Sequence, residues 1–518
     1  MTDFAARDGL PDTLPALVER AARLWPDQVA WTFDETGEDV TFADVDARTE
    51  QLADVLVQLG VRPGDRVAVM LDNCAHFPLC WLAISRLGAA TVPVNINYQR
   101  FDARHLLVHS DVQVVLTTGR FLPLLNELQP DTAIDHIVDL DQPLPAAPRT
   151  TNPKVVPEDI ANVQYTSGTT GAPKGCLLPN NYWTVLAAGL IEDFPHINDT
   201  DIILTAQPFH YVDPQWNVAL GLMSGAQLII LDRFHPSTFF TKVVDYQVTW
   251  FYCLGLMPTL LLQTEPHPRE HDHCLRAISA SAIPPALQQG LEQRWGVGWY
   301  EAFGMTETGG DIRLTDSDHD EVVGTGCLGR PTRDREAMII DDEGNPLPRE
   351  AVGELVLRGR GLMHGYFRDQ QATDLAFRGG WFHTGDLARM DEQGRVFHHG
   401  RTKDMIRRSG ENISADEVER ALQLHPKVQL VAVLPREDTL RGEEVHAVVV
   451  LQEPGVSPDE LIAFCQDQLA YFKVPRYWTF LDQLPMTASE RVAKAVLATQ
   501  LIQQSAVQRY DRTTGEWQ

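Results

Sequence analysis

The sequence predicts an α/β protein with a large N-terminal domain of layered α/β sheets, a β-rich subdomain at about residues 320–400 and a small αβ C-terminal domain. The 518 residues exceed what one hydrophobic core usually supports. Helical and strand-like segments alternate along the first third of the chain, as is typical of layered sheets with largely parallel strands. Short strands and glycine-rich turns follow later, and after Gly400 the chain returns to an alternating pattern.

The first elements follow from periodicity and from turn residues. Residues 43–59 carry an amphipathic helical pattern, and residues 66–71 read as a strand after the turn at 63–65. Residues 77–87 predict a second helix, which Gly88 ends before a strand at 91–94. This order predicts a helix-covered sheet near the N-terminus.

A run of hydroxyl residues, glycines and one lysine at 165–175, Y-T-S-G-T-T-G-A-P-K-G, predicts a polyphosphate-binding loop. Its glycines let backbone N–H groups approach phosphate oxygens, and Lys174 adds a positive charge. A strand at 160–165 and a helix beginning near 181 predict the order strand, loop, helix. Because the run differs from the G-x-x-x-x-G-K-[ST] pattern, it predicts ATP binding in another nucleotide-binding fold.

The later part of the chain predicts a change of architecture. Strand-like segments and turns at 353–357, 358–361 and 394–397 indicate the β-rich subdomain. We predict domains at 1–402 and 403–518. The second domain should contain, in order, a helix at 414–424 with a capping pair at Ser414 and Glu417, strands at 428–434 and 444–451, a helix at 457–469, a strand at 478–481 and a loose tail at 500–518.

Composition excludes several classes of protein. A net charge of −28 argues against broad binding to nucleic acid or to an anionic membrane. The seven cysteines form no C-x-x-C pair and no zinc spacing, which predicts reduced thiols in a cytoplasmic protein. The longest apolar runs, at 218–231 and 250–262, are shorter than a membrane span, and the first ten residues lack the pattern of a signal peptide.

Several further motifs occur in a specific order. They are F-G-M-T-E at 303–307, the run from G-E-L at 353–355 to G-Y at 365–366, W-F-H-T-G-D-L at 381–387, G-R-T-K-D at 400–404, G-E-N-I at 410–413 and F-K-V-P at 472–475. With the loop at 165–175, they resemble the acyl-adenylate-forming superfamily, which includes acyl- and aryl-CoA synthetases, peptide-synthetase adenylation domains and firefly-type luciferases. Residues 71–74 and the segment around His210 also resemble carnitine-type CoA ligases.

This resemblance implies two half-reactions at one site. A carboxylate attacks ATP to give acyl-AMP and pyrophosphate, and the thiol of CoA then attacks the adenylate. Between the two steps the small C-terminal domain rotates about a hinge at Lys403. The implied ligands are therefore ATP or AMP, Mg²⁺, CoA and a small carboxylic acid or its adenylate.

The resemblance also assigns roles to residues that match its motifs. Asp386 would bind the ribose diol, Phe303 would stack on adenine and Glu307 would hold Mg²⁺. The complete nucleotide set is Thr166, Ser167, Gly168, Thr169, Thr170, Gly171, Lys174, Ser281, Ala282, Phe303, Gly304, Met305, Thr306, Asp386 and Arg401. The residues expected around CoA are Arg407, Arg408, Ser409, Gly410 and Glu411. The catalytic set is His210, Thr306, Glu307, Lys403 and Arg491.

The acyl pocket is predicted with less detail. The resemblance implies a lining of His210, Trp216, Ser279, Ala280 and Gly309, and its small residues predict room for a bulky, largely apolar acid. His210 follows the phenylalanine beside which amino-acid-activating relatives carry an aspartate, so an amino-acid substrate is not expected. Asp213 and Trp216 leave a cationic substrate open, through an ion pair and a cation–π contact.

The chain departs from the resemblance near its end. The usual motif is L-P-x-T-x-S-G-K, but residues 484–489 are followed by Glu490 and Arg491. Arginine is a planar fork and lysine a compact point charge, so the exchange is not conservative at a positioned catalytic site. Losing one aimed donor costs roughly 2.7–4 kcal/mol, or about 10²–10³ in rate. We therefore predict weak or lost adenylation.

The resemblance implies that this motif leaves the site before CoA attacks, so thioester formation should be spared. The enzyme would then accept an adenylate made by a partner ligase, in a dedicated biosynthetic pathway for natural products. Other readings stay open at this point: a complete ATP-dependent synthetase in which Lys494 or Arg491 itself serves adenylation, an enzyme that loads a carrier protein, a luciferase-like oxygenase, or a non-catalytic nucleotide-binding protein.

Overall fold

The computed structural model describes residues 9–166, 173–254, 257–281, 283, 285–401, 405–452, 455–485, 492, 494–503 and 508–518. The chain forms two compact units. The first unit contains Met1–Ile96, Ser110–Tyr165 and Gly175–Thr402. The second contains Asn97–His109, Thr166–Lys174 and Lys403–Gln518. The predicted hinge residue Lys403 lies outside the described residues.

The helices are α1 (Leu14–Leu24), α2 (Phe42–Gln58), α3 (His76–Arg86), α4 (Arg100–Ser110), α5 (Leu122–Leu128), α6 (Asn180–Glu192), α7 (Val212–Ser224), α8 (Pro236–Asp245), α9 (Met257–Gln263), α10 (Pro285–Trp295), α11 (Asp316–Val322), α12 (Gln370–Ala376), α13 (Ala415–Gln423), α14 (Pro458–Gln468) and α15 (Lys494–Gln503). None of those in the described part of the chain is long and apolar enough to cross a membrane.

The strands of the first unit are β1 (Val29–Phe33), β2 (Glu38–Thr41), β3 (Arg66–Met70), β4 (Ala90–Pro93), β5 (Val114–Thr117), β6 (His136–Asp139), β7 (Ile160–Thr166), β8 (Lys174–Pro179), β9 (Ile202–Thr205), β10 (Gln227–Ile230), β11 (Trp250–Leu254), β12 (Ala277–Ser281), β13 (Trp299–Met305), β14 (Gly309–Arg313), β15 (Cys327–Pro331), β16 (Arg335–Ile340), β17 (Val352–Gly359), β18 (Phe382–Met390) and β19 (Val396–Arg401). Those of the second are β20 (Met405–Arg408), β21 (Glu411–Ser414), β22 (Val428–Asp438), β23 (Gly442–Leu451), β24 (Tyr477–Phe480), β25 (Tyr510–Asp511) and β26 (Glu516–Trp517).

One sheet of the first unit has six strands in the order β6-β5-β3-β4-β7-β8. Strands β3 to β7 pair in parallel, with Val67 opposite both Thr91 and Val114. β4 and β5 are buried along their whole length. Burial of both faces explains why these segments are apolar without alternation.

The second sheet has thirteen strands and changes character along its width. From β1 through β10, β9, β11 and β12 to β13 the neighbours are parallel. From β13 onward, through β14, β15, β19, β18, β17 and β16, they are antiparallel. The predicted fold class, with layered sheets and a β-rich subdomain, is confirmed.

The second unit is built on a sheet in the order β21-β20-β23-β24-β25-β26, with β22 also paired to β23. One of its hydrophobic clusters contains Val418 and Leu422 of α13 and Leu461 and Cys465 of α14. Ser457 caps α14, as the predicted start of that helix requires, since its side chain accepts from the N–H of Glu460. The small αβ C-terminal domain is thereby confirmed as a fold.

Local signals account for most helix and strand positions. Thr41 and Asp44 form a reciprocal capping box at the start of α2. Gly225 ends α7 with φ of 85°, a conformation that glycine adopts without steric cost. β3, α3 and β4 lie within two residues of their predicted bounds.

Three sequence predictions are corrected. β8 follows the loop at 165–175, so the order is strand, loop, strand and then α6, because a short apolar run is stabilised here as a strand beside β7. The segments at 353–357 and 358–361 form most of one strand, β17. The predicted loose tail at 500–518 is ordered where it is described: residues 500–503 end α15, β25 forms a hairpin with β26, and β25 pairs with β24 across more than 30 positions.

Candidate active site

Asp386 is the predicted ribose ligand, and the structure holds its carboxylate firmly. It lies in β18 with no exposed surface, and its Oδ1 is 3.1 Å from Nε2 of His398 in β19. The Asp386 N–H donates to Oγ1 of Thr384 at 3.0 Å, and that hydroxyl donates to the Leu355 carbonyl at 2.7 Å. Pairing of β18 with β19 also places Arg401 opposite Asp386.

The hairpin of β13 and β14 carries the F-G-M-T-E motif. A Cβ at Gly304 would collide with the carbonyl oxygen of Gly309, so this crossing requires glycine. Phe303, the predicted adenine partner, is partly buried against the core of the β-rich subdomain. Its stacking on adenine stays a prediction.

The turn of this hairpin is supported from behind by a buried ion pair. Nε of Arg335 lies 2.7 Å from Oδ1 of Asp311, and both side chains are almost fully buried. Arg335 also donates to the Thr308 carbonyl, and the Thr308 hydroxyl donates to Asp311. Low-dielectric surroundings strengthen such a fully paired network, so the turn after Glu307 is held rigidly.

Glu307, the predicted magnesium ligand, accepts a hydrogen bond from the Tyr366 hydroxyl at 3.1 Å. Burial, together with the Glu307 charge, raises the pKa of Tyr366 and keeps its hydroxyl protonated as a donor. No group of three or more possible metal-ligating side chains is found in the described part of the chain. A single oriented carboxylate fits Mg²⁺, which binds through one or two carboxylates and substrate phosphates.

His210 lies in the loop before α7, is 4% exposed and packs its ring 4.4 Å from that of Tyr211. Neither ring nitrogen has a hydrogen-bond partner among the residues that the structure describes. Burial lowers the pKa of His210 to about 3, so its imidazole is uncharged at neutral pH. A neutral imidazole can either donate a hydrogen bond to a bound ligand or accept one from it.

Aromatic rings surround Trp216, another predicted pocket residue. Its ring centroid is 5.4 Å from that of Tyr252 and 6.0 Å from that of Trp250. The Trp250 indole N–H donates to the Ser279 hydroxyl at 3.2 Å, and the hydroxyls of Tyr252 and Ser281 are hydrogen bonded to each other. The predicted small residues of β12 therefore lie next to large aromatic side chains.

Asp213 lies in the first turn of α7, where Oδ1 is 3.4 Å from the indole nitrogen of Trp216. Burial raises the pKa of Asp213 to about 6. The structure thus places a carboxyl group beside an aromatic cluster on the segment that also carries His210.

Asn73 belongs to the 71–74 segment and anchors the His210 loop. Its Nδ2 donates to the carbonyls of Gln207 and Leu231 at 2.9 Å, and its Oδ1 accepts from the Phe209 N–H at 2.9 Å. The sequence offered only a resemblance for this segment. It could not predict the contacts of Asn73, because their partners lie more than 130 residues away.

The residues predicted around CoA form the hairpin of β20 and β21. Ser409 and Gly410 make its turn with φ of 53° and 85°. The guanidinium of Arg408 is buried and lies 2.6 Å from Glu444, while the Arg407 N–H donates to Glu443. Arg408 therefore stabilises the second unit, and its contact with CoA stays a prediction.

Several predicted site residues lie outside the described residues: Ser167, Gly168, Thr169, Thr170, Gly171, Ala282, Lys403 and Arg491. Thr166 ends β7 and Lys174 begins β8, so the predicted phosphate loop joins two neighbouring strands of one sheet. The sequence assigned no role to Asn73, Arg335, Tyr366 and His398. Their contacts hold, respectively, the Phe209 backbone, Asp311, Glu307 and Asp386.

Comparisons with known proteins agree with this geometry. A family model for AMP-binding enzymes matches residues 18–367, and a model for their C-terminal domain matches residues 417–491. A crotonobetaine/carnitine–CoA ligase of Salmonella arizonae is 29% identical over 509 residues, covering 91% of this chain and 96% of that protein.

Solved structures are similar over more than nine-tenths of the chain. The o-succinylbenzoate CoA synthetase of Bacillus subtilis, solved as a double mutant with a product analogue, has a TM-score of 0.85 at 27% identity and covers 93% of this chain and 97% of its own. The same synthetase has also been solved with AMP and with an acyl-adenylate intermediate. An amide bond synthetase of Marinactinospora thermotolerans has a TM-score of 0.84 at 25% identity and covers 94% and 99%.

Proposed function

Since the chain belongs to the family of AMP-binding enzymes and is an acyl-CoA synthetase-type ligase, we propose that it forms an acyl-CoA thioester from an acyl-adenylate and CoA, with weak adenylation of its own. The resemblance stated from the motifs is confirmed. A solved CoA synthetase to which the chain is similar binds AMP in one structure, an acyl-adenylate in another and a product analogue in a third. The observation that carries the proposal is the pair Glu490 and Arg491 after residues 484–489.

The site supports the part of the reaction that the proposal retains. Asp386, held by His398 and Thr384, would accept hydrogen bonds from the ribose hydroxyls. Glu307, oriented by Tyr366, would help hold Mg²⁺, which supplies charge neutralisation at the phosphates when it is bound. These residues orient the adenylate whether or not the chain makes it.

Lys494 is the nearby lysine that could replace the motif lysine, but it forms an ion pair with another side chain. Nζ of Lys494 lies 2.7 Å from Oε1 of Glu419, within the second unit. We take Lys494 to be engaged in this ion pair and assign the weak adenylation to the exchange at Arg491. A chain with weak adenylation needs an adenylate made elsewhere, and we propose a partner ligase as its source.

We propose that the acyl group is bulky and largely apolar. The aromatic cluster of Trp216, Tyr252 and Trp250 offers apolar surface next to the small side chains of β12. A second candidate is an acid that carries a fixed positive charge. Asp213 beside Trp216 favours it, because a carboxylate and an aromatic face together attract a quaternary ammonium group, and a relative is named for carnitine, which bears one.

The proposal is tested by two assays on the full chain. The first measures ATP-dependent pyrophosphate release with cinnamic, octanoic and 4-(trimethylammonio)butanoic acids. The second measures CoA thioester formation from the three synthetic adenylates. We expect slow pyrophosphate release and fast thioester formation. The double variant Glu490→Gly and Arg491→Lys should raise pyrophosphate release by about 10²–10³, because it restores one aimed donor.

Lys494→Met is the matched control and should leave both rates unchanged. Pyrophosphate release by the natural chain at the rate of the double variant would contradict the proposal and indicate a complete synthetase. Transfer to an amine or to a carrier protein, with none to CoA, would contradict the choice of acceptor.

A further inference from the structure

Three successive carbonyl groups of the loop before α7 are held by side-chain amides. Gln215 Nε2 donates to the carbonyls of Phe209 at 2.9 Å and Tyr211 at 3.0 Å. Gln164 Nε2 donates to the His210 carbonyl between them at 2.7 Å. Gln164 lies in β7 and Gln215 in α7, and both side chains are buried. Secondary-structure elements on both sides therefore hold the backbone of His210.

A relay behind Gln215 sets the direction of its amide. Oε1 of Gln215 accepts from Nδ2 of Asn162 at 2.8 Å, and Oδ1 of Asn162 accepts from the indole N–H of Trp81 at 2.7 Å. The indole nitrogen can only donate, so the Asn162 oxygen must face it and the Asn162 amide group must face Gln215. Only one orientation of Gln215 satisfies this chain, and that orientation directs its amide group at the loop.

The ring that this backbone carries has no internal partner. His210 is only 4% exposed, and neither of its ring nitrogens has a hydrogen-bond partner in the described ranges. Leaving a buried polar group unpaired destabilises the fold, a cost that a bound ligand removes by hydrogen bonding. A loop held at three consecutive carbonyls keeps the ring in one place for that ligand.

We infer that Gln164 and Gln215, with Asn162 and Trp81 behind them, are positioning residues that hold the His210 imidazole for a hydrogen bond with the acyl-adenylate. The inference rests on the proposed function for the identity of the ligand. The amides need not touch the ligand themselves. Misplacement of a positioned group by about 1 Å can cost roughly 10² in rate, which makes such residues detectable in kinetics.

The test compares near-isosteric methionine variants. Gln215→Met and Gln164→Met remove the amide donors, whereas Gln288→Met is the matched control. Gln288 is also a buried glutamine, and it donates to the Trp299 carbonyl at 2.9 Å and accepts from the Gly324 N–H at 2.8 Å. The kcat and KM for thioester formation from cinnamoyl-AMP are measured beside the melting temperature. All three variants should melt at lower temperature, but only the first two should lower kcat/KM, by about tenfold or more.

A double-mutant cycle with His210→Phe separates positioning from general stability. If Gln215 acts through the imidazole, Gln215→Met should cause less than a twofold further loss once His210 is phenylalanine, because the two effects then overlap. Equal losses for Gln288→Met and Gln215→Met, or fully additive losses in the cycle, would overturn the inference.

Two further experiments test the inference if thioester formation or folding fails. If the natural chain forms no thioester from any adenylate, the proposed function fails, and the same cycle is run on the affinity for 5′-O-(N-cinnamoylsulfamoyl)adenosine. If Gln215→Met does not fold, Asn162→Leu replaces it. That variant removes the donor that fixes the direction of the Gln215 amide, so it should cause the same selective loss; unchanged kinetics would overturn the relay.

Discussion

At the scale of single residues, Asp213 has the clearest bearing on substrate choice. Its carboxyl group lies beside the Trp216 indole, and burial raises its pKa to about 6. The sequence offered Asp213 and Trp216 only as possible contacts for a cationic substrate, and α7 places them three positions apart on one helix. The ring of Tyr252, which comes from β11, joins them only through the tertiary fold.

We predict that Asp213→Asn discriminates between the two substrate candidates. If the acyl group is cationic, the variant should lower kcat/KM for 4-(trimethylammonio)butanoyl-AMP by about tenfold to a hundredfold, the size of a charge-assisted contact. Activity with cinnamoyl-AMP should stay unchanged. Steady-state kinetics with both adenylates is the measurement, and Asp272→Asn, an exposed carboxylate paired with Arg269, is the control.

The pH dependence has a definite sign. Asp213 is neutral below its raised pKa of about 6 and charged above it, so activity with a cationic acyl group should rise as pH increases through 6. Asp213→Asn should abolish that rise. Equal pH profiles for the natural chain and the variant would exclude Asp213 as the partner of the cation.

At the scale of elements, Lys473 joins α4 and α13 in the second unit. Its Nζ lies 2.5 Å from Glu417 and 3.5 Å from Asp102, all three side chains are almost fully buried, and the Tyr98 ring is 4.8 Å away. Asp102 Oδ2 and Glu417 Oε2 are buried without a donor among the residues described. One lysine cannot neutralise two carboxylates, so a proton shared between them completes the cluster.

We predict that this cluster makes stability fall as pH rises from about 4 to 7. Burial raises the pKa of Asp102 to about 7, despite the opposing charge of Lys473, so the folded state holds a proton that the unfolded chain releases near pH 4. The contribution of this proton to the free energy of unfolding is present in full below pH 4 and lost above pH 7. The raised pKa of Lys473 acts only in alkaline solution, outside this window.

Urea unfolding at pH 5 and pH 8 measures this effect. Asp102→Asn keeps a polar group of the same shape and removes the titration, so the difference in unfolding free energy between the two pH values should shrink. Asp467→Asn, exposed on α14, is the control and should not change it. An unchanged pH dependence in Asp102→Asn would mean that the proton is held elsewhere.

At the scale of the whole molecule, the two units have separate hydrophobic cores. The largest core of the first unit includes Trp31, Trp81 and Trp183, and one core of the second includes Trp478. Separate cores of this size can unfold in separate steps, as multidomain proteins commonly do. The net charge of −28 leaves the phosphate-bearing ligands dependent on local positive groups.

We predict two calorimetric unfolding transitions. Asp511→Ala should lower the midpoint temperature of only one of them, that of the second unit. Asp511 of β25 is 2% exposed and accepts from Nε and Nη2 of Arg476 at 3.1 Å each, so its loss should destabilise the second unit by about 1–3 kcal/mol. Asp245→Ala, which removes an exposed ion pair with Arg269, is the matched control for the first unit. It should cost less than about 1 kcal/mol. A single transition that both variants lower equally would contradict the prediction.

Much of the fold was predictable because its signals are local. Helix and strand periods, the caps of α2 and α14 and the glycine at the end of α7 depend on residues a few positions apart. The motif that includes Asp386 and the exchange at Glu490 and Arg491 are equally local. Adenylate chemistry, and the hypothesis of a weakened adenylation step, could therefore be formed without coordinates. The loose tail predicted at 500–518 is wrong for the described residues: 500–503 end α15, and the strands within 508–518 are stabilised by a sheet edge and by Arg476.

Only the tertiary structure decided which buried polar side chains pair with each other across long stretches of sequence. Asn162 meets Gln215 across 53 positions, Trp81 meets Asn162 across 81, and Lys473 meets Asp102 across 371. Such contacts leave no period in the chain, because many glutamines, asparagines and acids could serve equally well as partners. The physical reason is that buried polar groups must be satisfied wherever packing brings them together, and packing is a property of the whole fold.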